Sequence, residues 1–174
     1  DRPVHVLPDA MPFTSDPHLL RTAIVQAHRP GGMTALYDAI ASGLDHLARG
    51  THARRALVVI SDGIDNASRI RFDDALERAL ASNAAVYAVG LVDPIALTRD
   101  PGHLRRLARA TGGDAYFPST NIDAFNSLRQ IADDIHQSYA LGFTPGVSAA
   151  QGARQRLEVS VRTLYRDVDQ LSAA

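Results

Sequence analysis

The chain has 174 residues, 45% of them hydrophobic and 21% charged, with 18 basic against 19 acidic side chains. That length suits one domain with a substantial core, and the balanced charge removes any overall pull toward nucleic acid or anionic lipid. The absence of cysteine excludes disulfides, thiol nucleophiles and Cys-ligated zinc together.

No apolar run approaches the roughly 20 residues that span a bilayer. The start, Asp1-Arg2-Pro3-Val4-His5-Val6, lacks the charge pattern and apolar stretch of a signal peptide. Because the first residue is not Met, the sequence is read as a mature product or an excised piece with its true N-terminus upstream.

In chain order, Val4 to Leu7 is a short strand candidate ended by Pro8, and Phe13-Thr14-Ser15-Asp16-Pro17 reads as a turn into a helix. Leu19, Leu20, Ala23, Ile24 and Ala27 share one face of that helix, and Pro30-Gly31-Gly32 ends it. A second helix follows, with Thr34 as its N-cap and Leu36, Ile40, Gly43, Leu44 and Leu47 on one face, closed by Arg49-Gly50. Ala56-Leu57-Val58-Val59-Ile60 has no polar alternation and suits a strand buried on both faces of a parallel sheet.

A helix is expected from about Phe72 to Ser82, then a second buried strand, Ala85 to Leu91. Pro101 to Ala110 is a short helix stopped by Thr111-Gly112-Gly113. Ala115-Tyr116-Phe117 is a brief strand, and Ile122, Phe125, Leu128, Ile131 and Ile135 mark one more amphipathic helix. Strands and helices alternating at this pace predict an α/β, Rossmann-like, mostly parallel sheet with helices on both faces. Ser138–Phe143 and Leu157–Arg162 alternate instead, and predict an antiparallel β-hairpin across the loop from Pro145 to Ala153. The expected division is an α/β body over residues 1–137 and a hairpin extension of the same domain over 138–174.

Chemistry is expected where strands end, because ligands in open α/β sheets collect at the carboxyl edge. Gly31-Gly32-Met33-Thr34 brings a hydroxyl there and Ser61-Asp62-Gly63 a carboxylate. A hard divalent cation takes oxygen ligands and keeps several waters, so Thr34 and Asp62 are the candidate metal ligands. The bland alternatives are a helix cap for Thr34 and a turn-forming side chain for Asp62. Asp65 and Asn66 read as turn formers, with an outer-shell role as the minor alternative, and Asp38 as a complement to the helix dipole.

Gly31-Gly32-Met33-Thr34-Ala35-Leu36-Tyr37-Asp38-Ala39-Ile40, followed by Arg55-Ala56-Leu57-Val58-Val59-Ile60-Ser61-Asp62-Gly63, resembles the second and third motifs of a von Willebrand factor type A domain. The resemblance extends through Ala110-Thr111-Gly112-Gly113 and the Tyr139-to-Pro145 segment, and is closest to the bacterial VWFA-related group. It implies a metal-ion-dependent adhesion site holding Mg²⁺, or Mn²⁺ or Ca²⁺ in its place, with Thr34 and Asp62 as two of its ligands. It also implies a protein partner that offers a carboxylate, and an extracytoplasmic location, periplasmic or secreted.

The family's Asp-x-Ser-x-Ser motif occurs nowhere in the chain. The expectation is therefore an N-terminally truncated domain lacking the strand beside Ala56–Ile60. Such a domain should be unstable, or associate through the gap. A metal-independent interaction scaffold is the alternative function. A Mg²⁺-dependent phosphate-handling enzyme using Asp62 and Asp65 is the third, disfavoured because the chain has no lysine and no Arg between 56 and 68.

The seven histidines form no metal-binding spacing and are expected to be solvated surface residues. Ile60-Ser61-Asp62-Gly63 lacks the first glycine of a nucleophile elbow. No enzyme activity, nucleic-acid partner or membrane span is expected.

Overall fold

A computed structural model describes residues 13–27, 33–91, 102–142 and 156–160. The expected strand at Val4–Leu7 and the Gly31-Gly32 pair lie outside the described residues. The elements run α1 (Pro17–Ala27), α2 (Leu36–Ala48), β1 (Ala56–Ser61), α3 (Phe72–Ala81), β2 (Ala85–Gly90), α4 (Gly102–Ala110), β3 (Ala115–Tyr116) and α5 (Asn121–His136). Two further strands, β4 (Ser138–Gly142) and β5 (Arg156–Ser160), pair antiparallel, with Ser138 opposite Ser160.

β1, β2 and β3 form a parallel sheet in that spatial order, with Ala56 opposite Ala85 and Ala88 opposite Ala115. Parallel neighbours need a crossover, and α3 and α4 supply the two connections. Alternate residues of β2 face opposite sides. Val86 and Ala88 join Leu57 and Val59 under α2, α3 and α4, against Leu36, Ile40, Leu44, Phe72, Leu76, Leu104 and Leu107. Tyr87 and Val89 face the other way, onto Ile131 and Ile135 of α5.

β2 is therefore buried on both sides, as its unbroken apolar run predicts. β1 is not, and this corrects the expectation for Ala56–Ile60. Val59 is buried beneath α2, whereas Val58 is 39% and Ile60 54% exposed. Their register partners are Tyr87 and Val89, so they face the α5 side. There α5 lies over β2, and among the described residues no strand pairs with the outer edge of β1.

Two helix faces are corrected in the same way. Of the five apolar residues expected on the α5 face, Ile131 and Ile135 enter the packing, while Ile122, Phe125 and Leu128 stay exposed. On α1, Leu19, Leu20 and Ile24 are exposed and Ala23 is half-buried. Helical periodicity identifies a face that could be buried; what covers it depends on the neighbouring elements.

α4 ends where Thr111-Gly112-Gly113 predicts. Gly112 takes a φ of 84°, its N–H reaches the Arg109 carbonyl, and the Gly113 N–H reaches the Ala108 carbonyl at 2.9 Å. This is the glycine-dependent C-terminal motif that satisfies the last free carbonyls of a helix. The Thr111 hydroxyl also accepts the Val86 N–H at 3.0 Å, fixing the end of α4 on β2.

Candidate functional site

The loop after β1 begins at the carboxyl edge of the sheet. Gly63 has a φ of 81°, a left-handed conformation that suits glycine, and its N–H donates to Ser61 Oγ at 3.1 Å. Asp62 is half-buried, and its Oδ1 accepts the Ile64 N–H at 3.1 Å. One carboxylate oxygen thus shapes the turn, as the bland reading of Asp62 expects.

The loop then folds onto the start of α2. Asn66 Oδ1 accepts the Thr34 N–H at 2.6 Å, and the Thr34 carbonyl accepts the N–H groups of Asn66 and Ala67 at 3.0 and 3.1 Å. Asp65 Oδ1 accepts the Leu36 N–H at 2.7 Å. Ser68 Oγ accepts the N–H groups of Tyr37 and Asp38 at 3.0 and 3.1 Å and donates to Asp65 Oδ1.

These bonds correct the capping role expected for Thr34. α2 begins at Leu36, and its flanking residue Ala35 provides no side-chain cap. The first-turn amides, unpaired in any helix, are satisfied by Asp65 and Ser68 from a loop about thirty positions later. The Asp65 charge also faces the positive end of the helix dipole.

Asp38 returns the interaction. Both its carboxylate oxygens accept the Arg69 N–H at 3.1 Å, and Oδ1 accepts the Ile70 N–H at 3.2 Å. A capping box is normally closed within four residues. Here its logic is shared between two segments, each supplying carboxylate acceptors to the other's backbone. The sequence reading missed this clasp. Its visible signal is Asp65-x-x-Ser68 after a strand-ending turn, opposite a helix whose own flank is Ala35.

A second group of side chains lies at the first turns of the helices. The Tyr37 hydroxyl and His103 Nδ1 are 2.7 Å apart in a hydrogen bond. His103 stacks on Phe72 with centroids 4.0 Å apart and planes 7° apart, and the Arg106 guanidinium lies 5.4 Å from the Phe72 centroid. His103 is exposed, yet it is partnered on two sides and is not a freely solvated residue. These contacts join the starts of α2, α3 and α4.

The structure therefore brings the Thr34 backbone onto the loop that starts at Asp62. A hydroxyl and a carboxylate are the hard oxygen donors that Mg²⁺, Mn²⁺ or Ca²⁺ accepts. The Thr34 hydroxyl is not used to cap α2. The donor chemistry fits a divalent cation, and two side chains leave most of an octahedral set to water and further ligands. Among the described residues, no three His, Cys, Asp or Glu side chains are grouped as a metal site. No described helix is long and apolar enough to cross a membrane.

A von Willebrand factor type A structure from Catenulispora acidiphila superposes with a TM-score of 0.63 at 16% identity, over 79% of this chain and 32% of that one. The present chain thus spans about a third of that protein's length. An aerotolerance-related membrane protein from Bacteroides fragilis is similar over 72% of both chains, with a TM-score of 0.51 and 21% identity. At these identities the likeness establishes a shared fold. No curated protein matches the chain significantly. The sequence profile of the von Willebrand factor type A domain matches residues 10–134, and with its parallel sheet and crossover helices the chain belongs to that family.

Proposed function

We propose that the chain is a protein-binding module of the adhesion type, in which Thr34 and Asp62 are two oxygen ligands of a divalent cation, Mg²⁺ or alternatively Mn²⁺ or Ca²⁺. The supporting observation is the pair of opposed hydrogen-bond sets that holds the Thr34 backbone on the loop beginning at Asp62. The remaining ligands come from water and from an Asp-x-Ser-x-Ser segment outside these residues. An open coordination position then accepts a carboxylate from the protein partner.

Type A domains are generally interaction modules rather than enzymes. In keeping with this, the Asp62 loop carries no lysine or arginine before Arg69 to clamp a phosphate. The proposed assembly also places a strand on the outer side of β1, takes residues 138–174 as an extension of the same domain, and locates the protein outside the cytoplasm. Cell fractionation tests the location; recovery in the cytosol alone would count against it.

A metal-independent scaffold is the second reading. It is favoured by the engagement of Asp62 Oδ1 with its own loop at Ile64.

Titration with Mg²⁺ and Mn²⁺ of a longer chain that includes the Asp-x-Ser-x-Ser segment, with Thr34→Ala and Asp62→Ala as variants, separates the two. The metal reading expects saturable binding that each substitution weakens by tenfold or more. Unchanged affinity in both variants overturns the metal assignment. Partner binding that survives chelator supports the scaffold.

A further inference from the structure

We propose that Asn66 is a positioning residue, whose side-chain carbonyl holds the Thr34 peptide on the loop that begins at Asp62 and so keeps Thr34 placed for divalent-cation binding. This inference rests on the metal reading of Thr34 and Asp62. It begins from an asymmetry in how the two residues are held. Asp62 is fixed by short-range bonds inside its own loop, through Ile64 and the Ser61–Gly63 turn. Thr34 belongs to another segment, and its N–H and C=O both end on the loop, at Asn66 and at the Asn66 and Ala67 amides.

Of these bonds, only the one through the Asn66 side chain can be removed by substitution without altering the backbone. It is also the shortest of the set, at 2.6 Å. Asn66 is an exposed residue, so its side chain contributes little to the core.

The neighbouring bonds explain why position 66 acts on Thr34 and not on the helix as a whole. Asp65 and Ser68 cap Leu36, Tyr37 and Asp38, so α2 keeps its first-turn partners when Asn66 is shortened. The Thr34 carbonyl keeps the Asn66 and Ala67 N–H groups. What is lost is the restraint on the Thr34 amide. The peptide that carries the hydroxyl then rotates about the remaining anchor, and a hard cation with strict geometry is sensitive to that.

The test uses the same longer chain, which includes the Asp-x-Ser-x-Ser segment, with Asn66→Ala and Asn66→Asp, the second keeping an oxygen acceptor at the same place. Two readouts are taken: Mn²⁺ affinity, and amide exchange at Thr34 in chelator. Asn66→Ala is expected to weaken Mn²⁺ by about tenfold and to speed Thr34 exchange while leaving the melting temperature near that of the parent. Asn66→Asp is expected to restore slow exchange and binding. Ile131→Ala, on the far face of the sheet, serves as a destabilised control that keeps its Mn²⁺ affinity.

If the parent binds Mn²⁺, and Thr34→Ala and Asp62→Ala abolish binding while Asn66→Ala does not, the positioning role is overturned and the metal reading stands. If the parent binds no Mn²⁺, both are overturned. Loss of affinity that follows melting temperature across Asn66→Ala and Ile131→Ala alike also overturns the positioning role.

Discussion

The Asp65 carboxylate accepts the Leu36 backbone N–H at 2.7 Å across a sequence separation of 29 residues, so the cap of α2 is supplied by the loop that follows β1. Replacing Asp65 by alanine leaves at least one first-turn amide without an acceptor. It also removes a negative charge from the helix N-terminus. The expected loss is about 1–2 kcal/mol, in the range of an N-cap deletion. Asp65→Asn keeps an acceptor and should lose less. Urea unfolding of both variants measures the difference, and equal losses would assign the whole effect to charge.

Tyr87 gives the fold an alkaline limit. Burial pushes its phenol up to about 12, with Asp134, Tyr116 and Asp114 adding negative charge nearby. The unfolded chain releases that proton near the ordinary value of about 10. The folded state holds the proton more tightly, so this contribution is complete below about pH 10 and is lost as pH rises toward 12. It amounts to something on the order of 2 kcal/mol. Tyr87→Phe should flatten stability between pH 10 and 12, as read by denaturant midpoints across that range; an unchanged slope would assign the alkaline loss to other groups.

Gly113 is fixed by lack of space. A Cβ at this position would lie 2.1 Å from the Val86 carbonyl oxygen, which belongs to the central strand. Gly113→Ala should cost about 3 kcal/mol or more, because backbone must move to relieve the overlap. Gly112→Ala imposes a left-handed conformation alone and should cost about 1–2 kcal/mol. Thermal melts of the pair test the order, and the reverse ranking would contradict it.

The apolar residues of β1 that face the α5 side predict association. Val58 and Ile60 are 39% and 54% exposed beside an outer edge that carries no partner among the described residues. Such an edge is a template for pairing. Sedimentation should show concentration-dependent self-association of the 174 residues, and Ile60→Lys should reduce it. A parent that stays monomeric and unfolds cooperatively at an ordinary midpoint contradicts the expectation of an open sheet.

The sequence revealed most about elements whose burial is decided locally. Val86–Val89 and Leu104–Leu107 were legible because both faces or the whole helical stripe reach the core. Gly112-Gly113 was legible because a helix end has a residue-specific chemistry. Val58, Ile60 and Phe125 were misread because the same apolar pattern is consistent with a covered or an open face, and the cover is a matter of tertiary arrangement. At the candidate site the placement of Thr34 shortly before α2 and of Asp62 directly after β1 was readable. The pairing of Asp65 and Ser68 with amides from α2 was not, since a hydrogen bond between distant segments leaves no periodic trace.

The return bonds from Asp38 to Arg69 and Ile70 make the loop and the helix one opening unit. The loop cannot lift from the sheet edge without exposing the first amides of α2, and α2 cannot fray from that end without freeing the loop. Their exchange with solvent should therefore share one free energy, as in a cooperative local unfolding event. By linkage, anything that binds the closed loop raises that free energy. Binding at the sheet edge is then reported by protection at Leu36 and Tyr37, residues that do not have to touch the ligand.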